Sequence, residues 1–172
     1  MGLHLETNMT GFQAVVALAA FLCSLTAGFL FAFAAVGMPG LRSLDDGAFI
    51  RAFQAIDRVI QNNQPLFILV WVGSTLAVIA AAGMGLWTLS GADRALVVGA
   101  ALIYLLGVQL PTATINVPMN NALQKLDSAA MDATAVRRAR ADFEPRWNRW
   151  NIARTACASL ASALLILAVL RL

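Results

Sequence analysis

From Gly11 to Met38 the chain carries no Asp, Glu, Lys or Arg. About 20 apolar residues suffice for a helix to cross a hydrocarbon core, so this run is long enough to span a membrane. It is too long for the apolar region of a signal peptide, and no small-residue cleavage site leads into a water-soluble domain, so the segment is expected to be retained. Pro39-Gly40 closes it. A second uncharged run covers 65–87, with Pro65 at a favourable first-turn position. A third begins near Ala95 and is apolar to Leu110, with its helix expected to reach about residue 121. A fourth covers 148–170. A soluble domain has about 25% charged residues, whereas this chain has 12%, with 60% hydrophobic residues and a mean hydropathy of +0.75. Too little polar sequence remains to cover a water-facing surface. The expected fold is all-α: one integral membrane domain over residues 1–172, built as a four-helix bundle.

The Lys and Arg residues are distributed unevenly. Arg42, Arg51 and Arg58 lie between spans one and two. Lys125, Arg137, Arg138, Arg140, Arg146 and Arg149 lie between spans three and four, while the other side has only Arg94 and Arg171. Under the positive-inside rule this places the two long connections in the cytoplasm and both termini outside, as in a bacterial inner membrane. The formal net charge of +3 is then a topology signal, and no nucleic-acid partner is expected. Cys23 and Cys157 both sit in apolar runs, where a thiol usually packs as a small apolar group. The one histidine is His4, and the chain has no CxxC or HxxxH spacing, so no metal centre built on His and Cys is expected.

The cytoplasmic connections hold more than loops. In "DDGAFIRAFQAIDRVIQNNQP" the apolar Phe49, Phe53, Ile56 and Ile60 recur at helical spacing. Gln54, Asp57, Arg58 and Gln61 fall on a neighbouring face, and Asp45 or Asp46 can cap the start. This predicts an amphipathic interfacial helix over 46–62, packed on lipid or on the bundle. After Leu110 comes "PTATINVPMNNALQKL". Pro111 and Pro118 each disturb a helix, yet proline is tolerated in a membrane when neighbours satisfy the freed backbone groups. Thr112, Asn116 and Asn120 share a face if the helix continues; otherwise they mark the exit from the membrane. In "PRWNRWNIARTACASL", Phe143, Trp147, Asn151 and Arg154 form one stripe, with Trp150 four residues before Arg154. Arg154 lies about a turn deeper than the aromatic belt. Either it snorkels to the headgroups or it faces the bundle, at about 2.5–3.5 kcal/mol unless paired. Its available partners are Asp57, Gln54 and the Asn116/Asn120 face. Three segments thus bring polar groups to one depth, as in a binding site at the mouth of a bundle.

Four stretches carry a family resemblance: "AGFLFAFAAVGMPGL" (Ala27 to Leu41), "FQAIDRVIQN" (Phe53 to Asn62), "INVPMNNAL" (Ile115 to Leu123) and "WNRWNIAR" (Trp147 to Arg154). In this order they resemble the DUF1772 family of small four-span membrane proteins, also called the anthrone oxygenase family. The family often has Asn where this chain has Asp57. The resemblance implies oxidation of an anthrone to an anthraquinone by molecular oxygen, without a metal or flavin cofactor. The substrate class would be a flat, hydrophobic phenol that partitions into the membrane lipid and stacks on Trp147, Trp150 or Phe53. Arg154 would face the developing oxyanion, Asn116, Asn120 and Asn151 would donate further hydrogen bonds, Gln54 would border the ligand, and Asp57 would take the proton. The competing expectation is a non-catalytic protein that binds a quinone or lipid, or a scaffold whose polar cluster locks its helices. The small size and lack of paired repeats argue against a transporter. The small residues Ala27, Gly28, Ala32, Ala35, Gly37, Gly83 and Gly85 are expected to let helices approach within the chain, with homo-oligomer contact as the alternative. Phe29, Phe31 and Phe33 are expected to spread between lipid and core.

Overall fold

A computed structural model describes residues 2–172, with side chains from Gly11 onward, so that of His4 lies outside the described part. Four helical rods, Gly11–Arg42, Pro65–Thr88, Gly91–Gln124 and Ala133–Arg171, are each long and apolar enough to cross a membrane. No strand occurs among the described residues. The chain is an all-helical integral membrane protein with a four-helix bundle. In chain order its helices are α1 (Gly2–Ala32), α2 (Met38–Arg42), α3 (Asp46–Gln61), α4 (Pro65–Thr88), α5 (Gly91–Tyr104), α6 (Val117–Gln124) and α7 (Ala133–Arg171).

The helix ends follow local chemistry. The Asp45 carboxylate accepts from the Ala48 N–H at 2.8 Å and starts α3. The Gln64 side chain accepts from the Phe67 N–H, and Pro65 occupies the first turn of α4, where its missing donor costs nothing. Asp132 accepts from the Ala135 N–H at 2.9 Å to start α7. The tight reversal between α4 and α5 places Gly91 at φ 53°, which a residue without a Cβ adopts without strain.

Proline shapes the first and third rods. Three π-helical turns, Phe33–Gly37, Leu105–Gln109 and Thr112–Asn116, interrupt the α pattern. Each ends two residues before a proline: Pro39, Pro111 and Pro118. In each, the residue just before that proline donates its N–H five positions back: Met38 to Phe33, Leu110 to Leu105 and Val117 to Thr112. A proline in a helix lacks a donor and its ring crowds the carbonyl four residues earlier. Widening the preceding turn relieves that crowding and keeps the neighbouring amide bonded. The third rod therefore continues to Gln124 instead of breaking at Pro111.

In the bundle, α1 packs between α4 and α7, and α5 packs between the same two on the far side. The interior is rich in alanine, including Ala19, Ala77, Ala81, Ala100, Ala158 and Ala161. Small interface residues permit close helix packing where burial from lipid supplies no hydrophobic drive. The tightest approach is at Gly107, where an added Cβ would meet Cys157 Sγ at 2.6 Å and Cys157 Cβ at 2.8 Å. The small residues singled out in the first rod mostly do otherwise. Ala27 is buried, but Gly28, Ala32 and Ala35 face outward, because the packed stripe of α1 runs through Phe12, Val16, Ala19, Cys23 and Leu30. Cys23 and Cys157 are both free thiols.

α3 lies against the bundle, burying Phe49, Ile50, Phe53, Gln54 and Asp57. Phe49, Phe53, Leu123, Val136, Phe143 and Trp147 form a second apolar cluster. Outside it, Glu144 accepts from Arg42 Nε at 2.9 Å and Arg140 Nε at 2.8 Å. Arg140 also reaches Asp46 at 3.1 Å and its guanidinium lies 4.5 Å from the Phe49 ring centre. This network ties α2, α3 and the polar N-terminal part of α7 into one cap.

Candidate functional site

Beneath that cap is a cavity of about 280 Å³, close to the lower end of small-molecule pockets at about 300–1,000 Å³. All four rods and α3 contribute to its wall. Phe29 and Phe33 come from the first rod, Phe53 from α3, Phe67 and Trp71 from α4, and Trp147 from α7. The phenylalanines of the first rod divide by function: Phe29 and Phe33, one turn apart, face the cavity, while Phe31 is 61% exposed on the outside. The polar wall is Asp57, Gln61, Thr112, Asn116, Asn120, Asn121, Asn151 and Arg154.

Arg154 faces the bundle interior and is 4% exposed, so it does not snorkel. Its Nη1 donates to Thr112 Oγ1 at 2.9 Å and its Nη2 to Asn151 Oδ1 at 3.1 Å. The Thr112 hydroxyl donates in turn to the Val108 carbonyl at 2.7 Å, so its oxygen is aimed at the guanidinium. Asn151 Nδ2 donates to the Leu30 carbonyl at 3.1 Å, which turns its own oxygen toward Arg154. The guanidinium carbon lies 5.8 Å from the Trp147 ring centre. All of these partners are neutral. Among the described residues no carboxylate pairs with Arg154.

Asp57, expected as that partner, is held elsewhere. Asn120 Nδ2 donates to its Oδ1 at 2.8 Å, while Gln61 Nε2 and Gln124 Nε2 donate to its Oδ2 at 2.6 and 3.0 Å. Three amide donors thus satisfy this carboxylate without any cation. Asn120 is oriented by its other atom, since its Oδ1 accepts from Trp147 Nε1 at 2.8 Å. One wall of the cavity thus carries an anion and another a cation, each held by neutral groups.

Three buried side chains among the described residues, those of Gln109, Asn116 and Arg154, carry polar atoms without a hydrogen-bond partner. Among the described residues, both polar atoms of the Asn116 amide and the Nε of Arg154 are unbonded. Asn116 is only 2% exposed and lines the cavity. A buried unsatisfied polar atom costs about 1–3 kcal/mol, so this wall is poor at holding helices together and suited to meeting a ligand that both donates and accepts.

The sequence-predicted residues do not all converge. Arg154, Asp57, Asn151, Asn116, Asn120, Trp147 and Phe53 line the cavity, but Gln54 and Trp150 do not. Gln54 Nε2 donates to the carbonyls of Leu123 and Leu126 at 2.8 and 2.9 Å, and its own backbone carbonyl accepts from Gln124; it pins α3 to the end of the third rod. Trp150 is half-buried and does not reach the cavity. Sequence reasoning missed Thr112 as the acceptor for Arg154, and Gln61 and Gln124 as clamps on Asp57. The four-residue step from Thr112 to Asn116 was a visible signal for the first; the other two depend on how α3 meets α6.

The family model described as anthrone oxygenase matches residues 58–164. The chain belongs to the anthrone oxygenase family. The match takes in Asn116, Asn120, Trp147, Asn151 and Arg154 and begins one residue after Asp57. No curated protein and no solved structure matches the chain.

Proposed function

We propose that this member of the anthrone oxygenase family is an oxygenase that needs no cofactor and oxidises a flat, hydrophobic, anthrone-like phenol with molecular oxygen. The observation that carries the reading is the apolar cavity in which a buried guanidinium without a carboxylate partner and a wholly unbonded Asn116 amide stand opposite a carboxylate. An anthrone supplies matching groups: a carbonyl and phenol oxygens along one edge, and a methylene whose proton is acidic because its carbanion is the conjugated enolate.

In this proposal Asp57 takes one methylene proton, and the electron pair moves to the carbonyl oxygen, beside Arg154 and Asn116. The enolate passes one electron to dioxygen, giving a carbon radical and superoxide, which combine into a peroxide anion. Asp57 returns its proton to the peroxide. Loss of the second hydrogen from that carbon, with cleavage of the O–O bond, leaves a new carbonyl and releases water. One dioxygen is consumed: one oxygen enters the quinone and the other leaves as water. The protein favours the enolate electrostatically and seats the rings among Phe33, Phe53 and Trp147. The nine-to-two bias in Lys and Arg supports an orientation with this end of the bundle in the cytoplasm.

The test is oxygen uptake by the purified protein given emodin anthrone, beside Arg154→Ala and a protein-free control for spontaneous oxidation. Removing an oxyanion donor typically lowers kcat about 10²–10³-fold, and a loss of that size is expected. Uptake no faster than the protein-free control would refute the oxygenase reading for this substrate, and equal rates in wild type and Arg154→Ala would refute the assigned role.

A further inference from the structure

The cavity has a neighbour. A groove of about 530 Å³ runs along the outside of the bundle between α1, α3 and α4. Phe29, Ile56, Ile60, Phe67 and Trp71 line both spaces, so a single layer of apolar side chains separates them. The groove's outer wall includes Val59 and Leu66, exposed by 56% and 68%, on the lipid-facing side of the bundle. Of its polar groups, Thr26 Oγ1 donates to the Leu22 carbonyl and the side-chain oxygen of Gln64 caps α4; the rest of the lining is mostly aliphatic and aromatic. Beside it, the α3–α4 connection turns through Asn63 at φ 60°, which gives the end of α3 that bears Ile56 and Ile60 a short, sharply bent tether.

We propose that this groove is a lipid-facing vestibule through which a bilayer-dissolved hydrophobic ligand passes sideways into the cavity, with Ile60 and Phe67 as its threshold. The inference rests on the proposed ligand cavity and adds its route of access: the molecule comes from the acyl-chain region between α3 and α4, not from the aqueous face. A flat aromatic compound leaves the lipid without crossing water, and its polar edge meets Asn116 and Arg154 only after passing the threshold.

The experiment reads access without turnover. In a protein retaining Trp147 as its only tryptophan (Trp71→Phe, Trp87→Phe, Trp150→Phe) and lacking its own thiols (Cys23→Ala, Cys157→Ala), placed in phosphatidylcholine nanodiscs, Trp147 emission is quenched by 1-bromododecane added to the bilayer. Ile60→Cys or Val59→Cys, capped with N-cyclohexylmaleimide, should lower that quenching several-fold. Leu102→Cys, exposed on α5, should not when capped likewise. Val59 is the second site because its exposed position spares the core. Unchanged quenching at both groove sites overturns the proposal, as does quenching of Trp147 by aqueous acrylamide that exceeds quenching from the bilayer. Oxygen uptake with emodin anthrone by the otherwise unaltered protein in the same nanodiscs separates the two readings: gated quenching with no anthrone oxidation keeps the vestibule and removes the reaction, and oxidation without gated quenching keeps the reaction and removes the vestibule.

Discussion

Replacing Asn116 by leucine should stabilise the ligand-free protein, although the residue is 2% exposed and lies among other polar groups. Its amide has two unbonded atoms, each costing about 1–3 kcal/mol. Leucine removes both, with the same branching and a somewhat larger volume that the adjoining cavity can take up. With part of the gain lost to imperfect packing, a net increase of about 1–3 kcal/mol remains. Asn151→Leu should act in the opposite direction. It removes the donor to the Leu30 carbonyl and the acceptor for Arg154 Nη2; a hydrogen bond to a charged group alone contributes about 1.5–3 kcal/mol. For a chain of this size about 1 kcal/mol moves Tm by roughly 2–4 °C. The assay is thermal unfolding followed by circular dichroism, in one detergent at one scan rate, for wild type and both variants. Asn116→Leu should melt above wild type and Asn151→Leu below it, while both lose anthrone-dependent oxygen uptake. If Asn116→Leu melts as far below wild type as Asn151→Leu, the amide is bonded in the resting protein and the argument for a ligand-directed wall fails.

Gly107→Ala should destabilise by about 1–3 kcal/mol, the usual cost of overpacking, because the new methyl meets Cys157; thermal melts of Gly107→Ala with and without Cys157→Gly check this, and only the double variant should recover. Asp57→Asn should lower kcat for anthrone oxidation by about 10²-fold or more, the lower range for loss of a general base, with KM little changed. Raising the pH should recover part of that rate by ionising the substrate directly, and an unchanged kcat would show that the proton goes elsewhere.

Much of the architecture was legible in the chain. Apolar runs of membrane length fixed the number of rods, and apolar spacing marked α3 as a helix, but its packed face takes in Gln54 and Asp57 and leaves Ile56 exposed. The stripe through Trp147, Asn151 and Arg154 was equally readable, because residues on one helix face follow a fixed period. The pairing of side chains between helices was not. Asp57 and Arg154 looked like partners by charge and depth, yet Asp57 is clamped by Asn120, Gln61 and Gln124, and Arg154 by Thr112 and Asn151. Gln54 lay on the correct helix but was drawn to the carbonyls of Leu123 and Leu126.

The sequence by itself determined that four helices are long and apolar enough to cross a membrane and which residues share a helix face, because apolar length depends on local composition and helices have one period. Pro39, Pro111 and Pro118 each follow a widened turn, whereas Pro145 sits in α7 without one, so proline marks where a turn can widen but does not decide it alone. Only the tertiary structure decided which polar atoms satisfy one another and which stay free. That outcome depends on the rotation of each rod about its axis, set by packing at places such as Gly107 against Cys157. The packed bundle leaves the Asn116 amide at the cavity without a partner among the described residues.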